Sequence, residues 1–179
     1  MAITINGSGT IGGVSVGGLP DGIVDTDMLA SNAVTSALLP AGSVLQVVAG
    51  STTTQTTGSG GAWFDIGLNA SITPSNTANK IYISVNIAGT GISSANAGDD
   101  RCHYRILRDS TEISYWEKLY GYTNSTQVLS GHVATTFLDN PSSVSSITYK
   151  VQMHGDSSET VISQWNSGYS TITLMEIAG

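Results

Sequence analysis

Cysteine and basic residues are both scarce in this 179-residue chain, and each scarcity excludes a class of protein. The one cysteine, Cys102, excludes an internal disulfide and a zinc site with several cysteine ligands, although it could still pair between chains. Only 6 residues are Lys or Arg, the first of them is Lys80, and the formal net charge is -7. Because these few basic side chains could neutralise only a few phosphate groups, we do not expect a nucleic-acid partner.

Long apolar runs are missing as well. No segment approaches the ~20 consecutive apolar residues that a membrane-spanning helix needs. Residues 1–6 also lack the basic start and apolar stretch of a signal peptide. We therefore expect synthesis in the cytoplasm and no insertion into a membrane.

The chain is instead rich in small and hydroxyl-bearing residues, with 21 Gly, 25 Ser and 21 Thr. Charged residues make up 11% of it, against a usual share of about a quarter. Hydrophobic residues make up 40%, which is enough for a folded core. These proportions predict a polar but mostly uncharged surface around that core.

Alternating apolar and polar residues predict strands in three segments, 64–68, 81–87 and 147–153. The period of two is that of a strand with one buried face. Further candidates are rich in β-branched and aromatic residues and are bounded by turn formers. They are residues 43–49, 102–108, 111–118, 132–138, 160–165 and 170–177.

Nine short strands without intervening helices predict an all-β fold over residues 41–179, an antiparallel β-sandwich or jelly roll. The low-complexity stretch 50–61 predicts a mobile loop. Asp99 and Asp100 favour a solvated turn over a calcium loop, because the spaced acidic ligands of such a loop are missing.

The first forty residues predict an extended segment and a short helix that share no core of their own. A helical pattern covers residues 30–38 and ends at Pro40. No aromatic residue precedes Trp63, so residues 1–40 can bury little apolar surface by themselves. We expect them to fold against sister chains or a docking partner. The apolar residues of this predicted anchor are Ile3, Ile5, Ile11, Val14 and Val16.

Residues 7–12 match the dinucleotide fingerprint G-x-G-x-x-G after a strand-like segment. That fingerprint works by opening a helix whose amides hold the pyrophosphate. Residues 13–18 are extended and broken by glycines instead, which favours turns and bulges in a ribbon. No cofactor is therefore expected.

The histidines His103, His132 and His154 have no ligand-type neighbour in sequence, and His103 and His154 occupy the polar positions of their predicted strands. We therefore expect surface roles for all three and no metal site. Cys102 beside His103 is a poor nucleophile and base, because adjacent strand residues point to opposite faces. Trp63 and Trp165 are assigned to packing. We expect no catalytic residues and no enzymatic activity.

Four of the aromatic rings fall within residues 115–122. Three of them, Trp116, Tyr120 and Tyr122, lie at even-numbered positions of the predicted strand, so they face either solvent or core together. An outward face would form a stacking surface for sugars or partners, and an inward face would be core or subunit contact. The candidate receptor or subunit contacts are Tyr115, Trp116, Tyr120, Tyr122 and Asn124.

Several stretches of sequence carry a resemblance to a known family. They are Ile-Thr-Ile-Asn-Gly-Ser-Gly-Thr-Ile at 3–11, Gly-Leu-Pro-Asp-Gly at 18–22, Ala-Gly-Ser-Val-Leu-Gln-Val-Val at 41–48, and the segments 71–81, 137–141, 148–152 and 170–177. They resemble small tail-fibre-like virion structural proteins of tailed bacteriophages, notably phages of cyanobacteria. The resemblance covers nearly the whole chain and includes no catalytic signature.

That resemblance implies a homotrimeric tail fibre or spike of the virion. Residues 1–40 would be the N-terminal anchor to other virion proteins, and residues 41–179 a distal β-sandwich head for host attachment. A host-surface glycan is a further candidate partner. One alternative is a head decoration or baseplate component with a purely structural role. The other is a polysaccharide-cleaving spike, which needs two carboxylates within ~5 to 10 Å, with Glu112, Glu117 and Asp139 as candidates.

Overall fold

The computed structural model describes residues 4–5, 11–12, 34–35, 38–94, 98–123, 128–156 and 159–179. Contacts within the chain divide it into two units, Met1–Leu39 and Pro40–Gly179.

The first unit contains a short antiparallel ribbon. Strand β1 (Thr4–Ile5) pairs with β2 (Ile11–Gly12), and Ile5 lies opposite Ile11. Since Gly12 belongs to a strand, the ribbon interpretation of the glycine motif fits this pairing better than a helix opening there. The other predicted anchor residues, Ile3, Val14 and Val16, and most of the predicted helix lie outside the described residues.

The second unit is nearly all β, and its described residues form ten strands. These are β3 (Val44–Thr52), β4 (Thr56–Ser59), β5 (Phe64–Ile72), β6 (Lys80–Ser94), β7 (Gly98–Arg108), β8 (Thr111–Thr123), β9 (Leu129–Asp139), β10 (Ile147–Gly155), β11 (Thr160–Ser163) and β12 (Ser170–Ile177). A single 3-10 turn, Trp165–Ser167, stands between β11 and β12. The predicted all-β class is confirmed.

The strands form two antiparallel sheets. The four-stranded sheet has the order β5-β10-β7-β8. In the six-stranded sheet the order is β3-β12-β6-β11-β4, and β9 pairs with the other edge of β6. Strand β6 is long enough to pair with β12 along its first half and with β11 along its second half.

The core lies between the inward faces of these sheets. Alternation along each strand sends every second side chain inward, as the sequence pattern predicts. The fully buried large residues are Tyr104, Tyr149, Ile66, Leu68, Ile72, Ile81, Ile83, Ile87, Ile92, Ile106, Met153 and Ile172. A buried polar chain crosses this core, because the Tyr104 hydroxyl lies 2.9 Å from both Thr90 Oγ1 on β6 and the Tyr120 hydroxyl on β8.

Strand β6 bends at a bulge where its register with β9 shifts between Ile87 and Thr90. Gly89 has a φ of +56° there, and the backbone of Trp165 packs against its Cα. The neighbouring Ala88 carbonyl accepts a hydrogen bond from the Gln164 amide at 3.1 Å. The bulge thus docks the 3-10 turn onto β6.

Two local predictions are wrong. Residues 50–61 are not a loop throughout, since β3 runs to Thr52 and β4 pairs with β11. Asp99 and Asp100 do not form a solvated turn either. They lie in β7 opposite Tyr122 and Gly121 of β8, and Asp100 is fully buried.

A buried carboxylate ties the two sheets together at one end. Asp139 closes β9 and accepts two hydrogen bonds of 3.0 Å from Arg108 Nη1 on β7. The Tyr149 hydroxyl on β10 donates a third, at 2.7 Å. Because the charge of Asp139 is paired and hydrogen-bonded, its burial is tolerated.

Candidate functional site

On the outward face of the six-stranded sheet, twelve side chains of β3, β12, β6 and β9 form a regular grid. None of these twelve side chains is charged. Cross-strand pairing aligns three rows on this face: Val47, Met175, Tyr82 and Leu138; Ala49, Thr173, Ser84 and Thr136; and Ser51, Thr171, Asn86 and Ala134. We call these twelve residues the uncharged face. Its first row is apolar, and Val47 and Leu138 are 56% and 52% exposed. An exposed apolar row of this kind is a candidate contact surface.

The outward face of the four-stranded sheet is different, because it carries four rings in contact. Trp63, His103, Tyr115 and His154 form what we call the histidine–aromatic cluster. His103 and His154 are direct cross-strand partners on β7 and β10, and their rings stack with centroids 4.4 Å apart. Trp63 meets His154 edge to face at 4.3 Å, and Tyr115 stacks with His103 at 6.0 Å.

Hydrogen bonds fix the orientation of the rings. His103 Nε2 lies 3.1 Å from Asp156 Oδ1, and His103 Nδ1 lies 2.6 Å from the Tyr115 hydroxyl. A carboxylate only accepts, so Nε2 donates to Asp156, and in the neutral imidazole Nδ1 then accepts from the phenol. His154 Nδ1 donates to the Gly155 carbonyl at 2.7 Å.

The Tyr115 phenol keeps its proton in this arrangement. Partial burial, followed by the nearby carboxylates of Glu117 and Asp156, raises the pKa of Tyr115. The order Asp156, His103, Tyr115 resembles a nucleophile with an oriented base. With its raised pKa, the Tyr115 phenol is a hydrogen-bond donor at neutral pH.

Arg105 continues this surface from the cluster toward β5. Its guanidinium carbon lies 4.3 Å from the centre of the Trp63 ring, a cation–π contact. Its Nε and Nη2 donate to Gln152 Oε1 at 2.8 and 2.6 Å, and its Nη1 donates to Glu112 at 3.1 Å. Gln152 in turn donates to Asp65 Oδ1 at 2.8 Å. Planar polar groups thus run without a break from Trp63 to Asp65.

A pocket opens at Asp65, where β5 bulges against β10. Asp65 pairs with Gln152 and Asn69 pairs with Lys150, so three residues of β5 oppose one residue of β10. Gly67, in the middle of the bulge, has a φ of +74°. The pocket has a volume of about 230 Å³, and we call it the bulge pocket. Its lining residues are Asp65, Gly67, Leu68, Asn69, Thr148, Lys150 and Val151.

The structure separates the aromatic residues that the sequence grouped over 115–122. Trp116 and Tyr120 pack against the core, and Trp116 stacks on Tyr104 with centroids 5.5 Å apart. Tyr115 points outward and is 50% exposed. The side chain of Tyr122 and the whole of Asn124 lie outside the described residues. Of the predicted contact residues that are described, only Tyr115 reaches the outer surface cluster.

Sequence reasoning missed the partners of Tyr115. His103 and His154 were placed on polar positions of their strands, and both do point outward, but nothing in their spacing indicated that they stack. Trp63 was assigned to packing only, whereas it contacts His154 and Arg105 on the outer face. The cluster could have been found from the alternation in β7 and β10. Once the two strands are known to be neighbours, alternation places His103 and His154 on the same outward face.

The remaining chemical candidates do not converge. Cys102 is fully buried, and burial raises its pKa to about 12, so its thiol stays protonated. Glu112 and Glu117 lie five residues apart along β8, roughly 15 Å or more at ~3.4 Å per residue. Asp139 is buried between the sheets, where Arg108 and Tyr149 bind its carboxylate. In the described part of the chain, no group of three or more His, Cys, Asp or Glu side chains could hold a metal ion.

Comparisons with known proteins give no family for the chain. No family model matches it, and no curated protein matches it in sequence. The crystal structure of the infectious bursal disease virus VP2 subviral particle gives a TM-score of 0.42 at 10% identity, over 76% of this chain and 38% of that one. The structure of the infectious bursal disease virus Gx strain gives 0.34 at 12% identity, over 75% and 37%. The chain thus spans well under half the length of these structures, and similarity at this level assigns no function.

Within the described residues, none of the helical segments has the length and apolar character that crossing a bilayer would require.

Proposed function

We propose that this chain is a structural protein of a phage virion, a homotrimeric tail fibre or spike. Residues 1–40 anchor it to other virion proteins, and the β-sandwich head presents its outer surface for host attachment. The protein is made in the host cytoplasm and works in the virion. Its sequence resemblance to tail-fibre-like proteins supports this proposal, and so does the distinct character of the two outer faces of the head.

The observation that carries the proposal is the uncharged face. Each copy of the chain has a net charge of -7, so copies repel one another wherever charged surfaces meet. The uncharged face removes that repulsion locally, and its row of Val47, Met175, Tyr82 and Leu138 offers apolar area for burial. Burial of such area is the main favourable contribution to subunit association. Identical copies can therefore meet through this face.

The other outer face suits contact with a host. Three basic residues on this face form ion pairs with carboxylates. Arg101 pairs with Glu117, Arg105 with Glu112, and Lys150 with Asp65. Locally balanced charge with exposed rings favours a neutral, polar target. We propose no enzymatic activity, because Glu112 and Glu117, two carboxylates that the sequence offered for a polysaccharide-cleaving spike, are separated along β8 and each is paired with an arginine.

The mass of the native assembly tests the proposal. The full chain at micromolar concentration should have the mass of three copies in native mass spectrometry. Leu138→Glu places a charge on the uncharged face and should dissociate the trimer. Val144→Glu is the matched control, since Val144 is 54% exposed but lies outside that face.

A monomeric full chain would overturn the fibre proposal. A trimer that tolerates Leu138→Glu as well as it tolerates Val144→Glu would show that the copies meet elsewhere. A larger ring or a hexamer would instead favour the head decoration or baseplate alternative.

A further inference from the structure

The bulge pocket combines hydrogen-bonding groups of both kinds in a small space. Asp65 supplies a carboxylate acceptor, Lys150 an ammonium donor, Thr148 a hydroxyl and Asn69 an amide that can donate and accept. A ligand with several hydroxyl groups, each of which donates and accepts, can satisfy such a set. Leu68 and Val151 add apolar lining, against which the C–H face of such a ligand can pack.

Charge in the pocket is already balanced. Lys150 Nζ lies 3.4 Å from Asp65 Oδ2, and the side chain of Asp65 is 55% exposed. Its other oxygen accepts a hydrogen bond from Gln152. A phosphate or carboxylate ligand would find only one cation, already paired, on a protein of net charge -7. The pocket therefore favours a neutral ligand over an anion.

The geometry of the bulge limits the ligand to one ring. The volume of about 230 Å³ is below the ~300–1,000 Å³ typical of drug-sized ligands. Gly67 contributes no side chain, and a Cβ there would meet only Thr52 Oγ1, at 3.7 Å. The pocket is open in the structure between two hydrogen-bonded strands.

The histidine–aromatic cluster lies next along the same face. Asp65 is linked through Gln152 to Arg105, and Arg105 lies over Trp63. The C–H faces of sugars pack on aromatic rings, while their hydroxyl groups bind planar polar side chains. A chain of sugars seated in the pocket would reach these rings with its next unit.

We propose that the bulge pocket binds one pyranose ring of a neutral glycan, and that the histidine–aromatic cluster contacts the adjoining sugar. This inference rests on the proposed function, because it names what the host-facing surface recognises. The pocket residues Asp65, Asn69 and Thr148 make the hydrogen bonds, and Trp63 and Tyr115 extend the contact.

Saturation-transfer NMR on the full chain tests the proposal with defined probes. The probes are the methyl glycosides of glucose, galactose, mannose and N-acetylglucosamine, with methyl glucuronide as the acidic comparison. At least one neutral glycoside should bind with a millimolar dissociation constant, more tightly than the glucuronide does. Asn69→Ala should weaken that binding about tenfold, because a shared hydrogen-bonding group is lost.

Gln55→Ala is the matched control, since it removes an exposed amide from the segment between β3 and β4, outside both the bulge pocket and the uncharged face. It should leave sugar binding unchanged. Amide chemical shifts of the unaltered protein supply a measurement that needs no variant. Residues 65–69 and 148–151 should shift when the neutral glycoside is added, and shifts confined to other residues would refute the site.

The pocket assignment fails if no neutral glycoside binds, if only the glucuronide binds, or if Gln55→Ala weakens binding as much as Asn69→Ala. Native mass measured on the same samples separates this failure from that of the proposed function. A trimer that binds no sugar refutes the pocket alone, whereas a monomer that binds sugar refutes the fibre and leaves the pocket standing.

Discussion

Glu176 is a buried carboxylate that holds β12 to the turn before β6. Asn79 Nδ2, the Ser75 amide and Gln46 Nε2 each donate to it at 2.6 Å, and Ser75 Oγ donates at 2.8 Å. Burial by itself raises the pKa of Glu176, but the hydrogen bonds from Asn79, Gln46 and Ser75 outweigh burial and lower it below its ordinary 4.5. The carboxylate form is thus part of the folded structure.

We predict that Glu176→Gln destabilises the head by about 2 kcal/mol at neutral pH, because a charged acceptor is lost among several donors. The lowered pKa means that this stability is present above 4.5 and is lost as pH falls below it. Urea unfolding at a series of pH values should show that wild type and variant converge in acid. Curves that stay parallel down to low pH would contradict this account.

Glu159 shows the opposite behaviour. It is 3% exposed, and burial is the main cause that raises its pKa, with Asp156 and Asp100 adding to the effect. A carboxyl group with a raised pKa contributes most stability below its ordinary pKa and loses it as pH rises through the folded value.

Glu159→Gln should therefore stabilise the head at neutral pH. The amide oxygen can still accept from the Asp156 amide, which donates to Glu159 Oε2 at 3.0 Å, while the buried charge is gone. The thermal midpoint should rise at neutral pH, and this gain should shrink as the solution is acidified. A variant less stable than wild type at every pH would show that the charge has a partner whose loss outweighs its burial.

At the scale of elements, the bulge in β6 depends on Gly89. A Cβ there would lie 2.7 Å from the Trp165 carbonyl oxygen and 2.8 Å from its amide nitrogen, both of which are backbone atoms. Gly89→Ala should cost about 2 kcal/mol or more, since left-handed strain adds to this contact.

Gly42→Ala is the control for strain alone, because Gly42 has a φ of +90° with nothing within 4 Å of a Cβ. It should cost about 1 kcal/mol. Chemical denaturation of both variants measures the difference. Equal losses would mean that the 3-10 turn moves away freely and that the docking of Trp165 contributes little.

Alternation predicted three of the strands in the head, because one face of each is buried, and runs of β-branched and aromatic residues predicted six more. Neither signal indicated β4, whose sequence Thr-Thr-Gly-Ser contains no large apolar residue. The inward position at Gly58 is filled by a neighbour, since the Phe64 ring occupies the place of its absent side chain. A strand of this kind is specified by its partner β11 and not by its own pattern.

At the scale of the whole molecule, the candidate site could be predicted only in parts. Parity correctly placed His103 and His154 on polar positions. Their stacking depends on β10 lying between β5 and β7, which is a property of strand order and not of any single segment. Alternation could not decide whether Trp116 and Tyr120 are buried or exposed. It shows that the two side chains share a face, but not which face is the core.

The division at Leu39 and Pro40 leads to a prediction about the separate head. A chain that begins at Pro40 contains both sheets and the whole core described above, so it should fold. Its near-UV circular dichroism should match that of the full chain, and it should assemble more weakly, because the proposed anchor is missing. A fragment that fails to unfold cooperatively would show that residues 1–39 support the sandwich directly.

Strand β12 follows every other strand along the chain, yet it lies in the middle of a sheet between β3 and β6. While a ribosome is still making the protein, those two strands must wait with open edges until Ile177 has emerged. Translation that stops before residue 170 would leave edges of β3 and β6 unpaired in the larger sheet, where a strand from another chain could pair with them. Such truncated products should depend on chaperones and be cleared by proteases, even though most of the sequence is present.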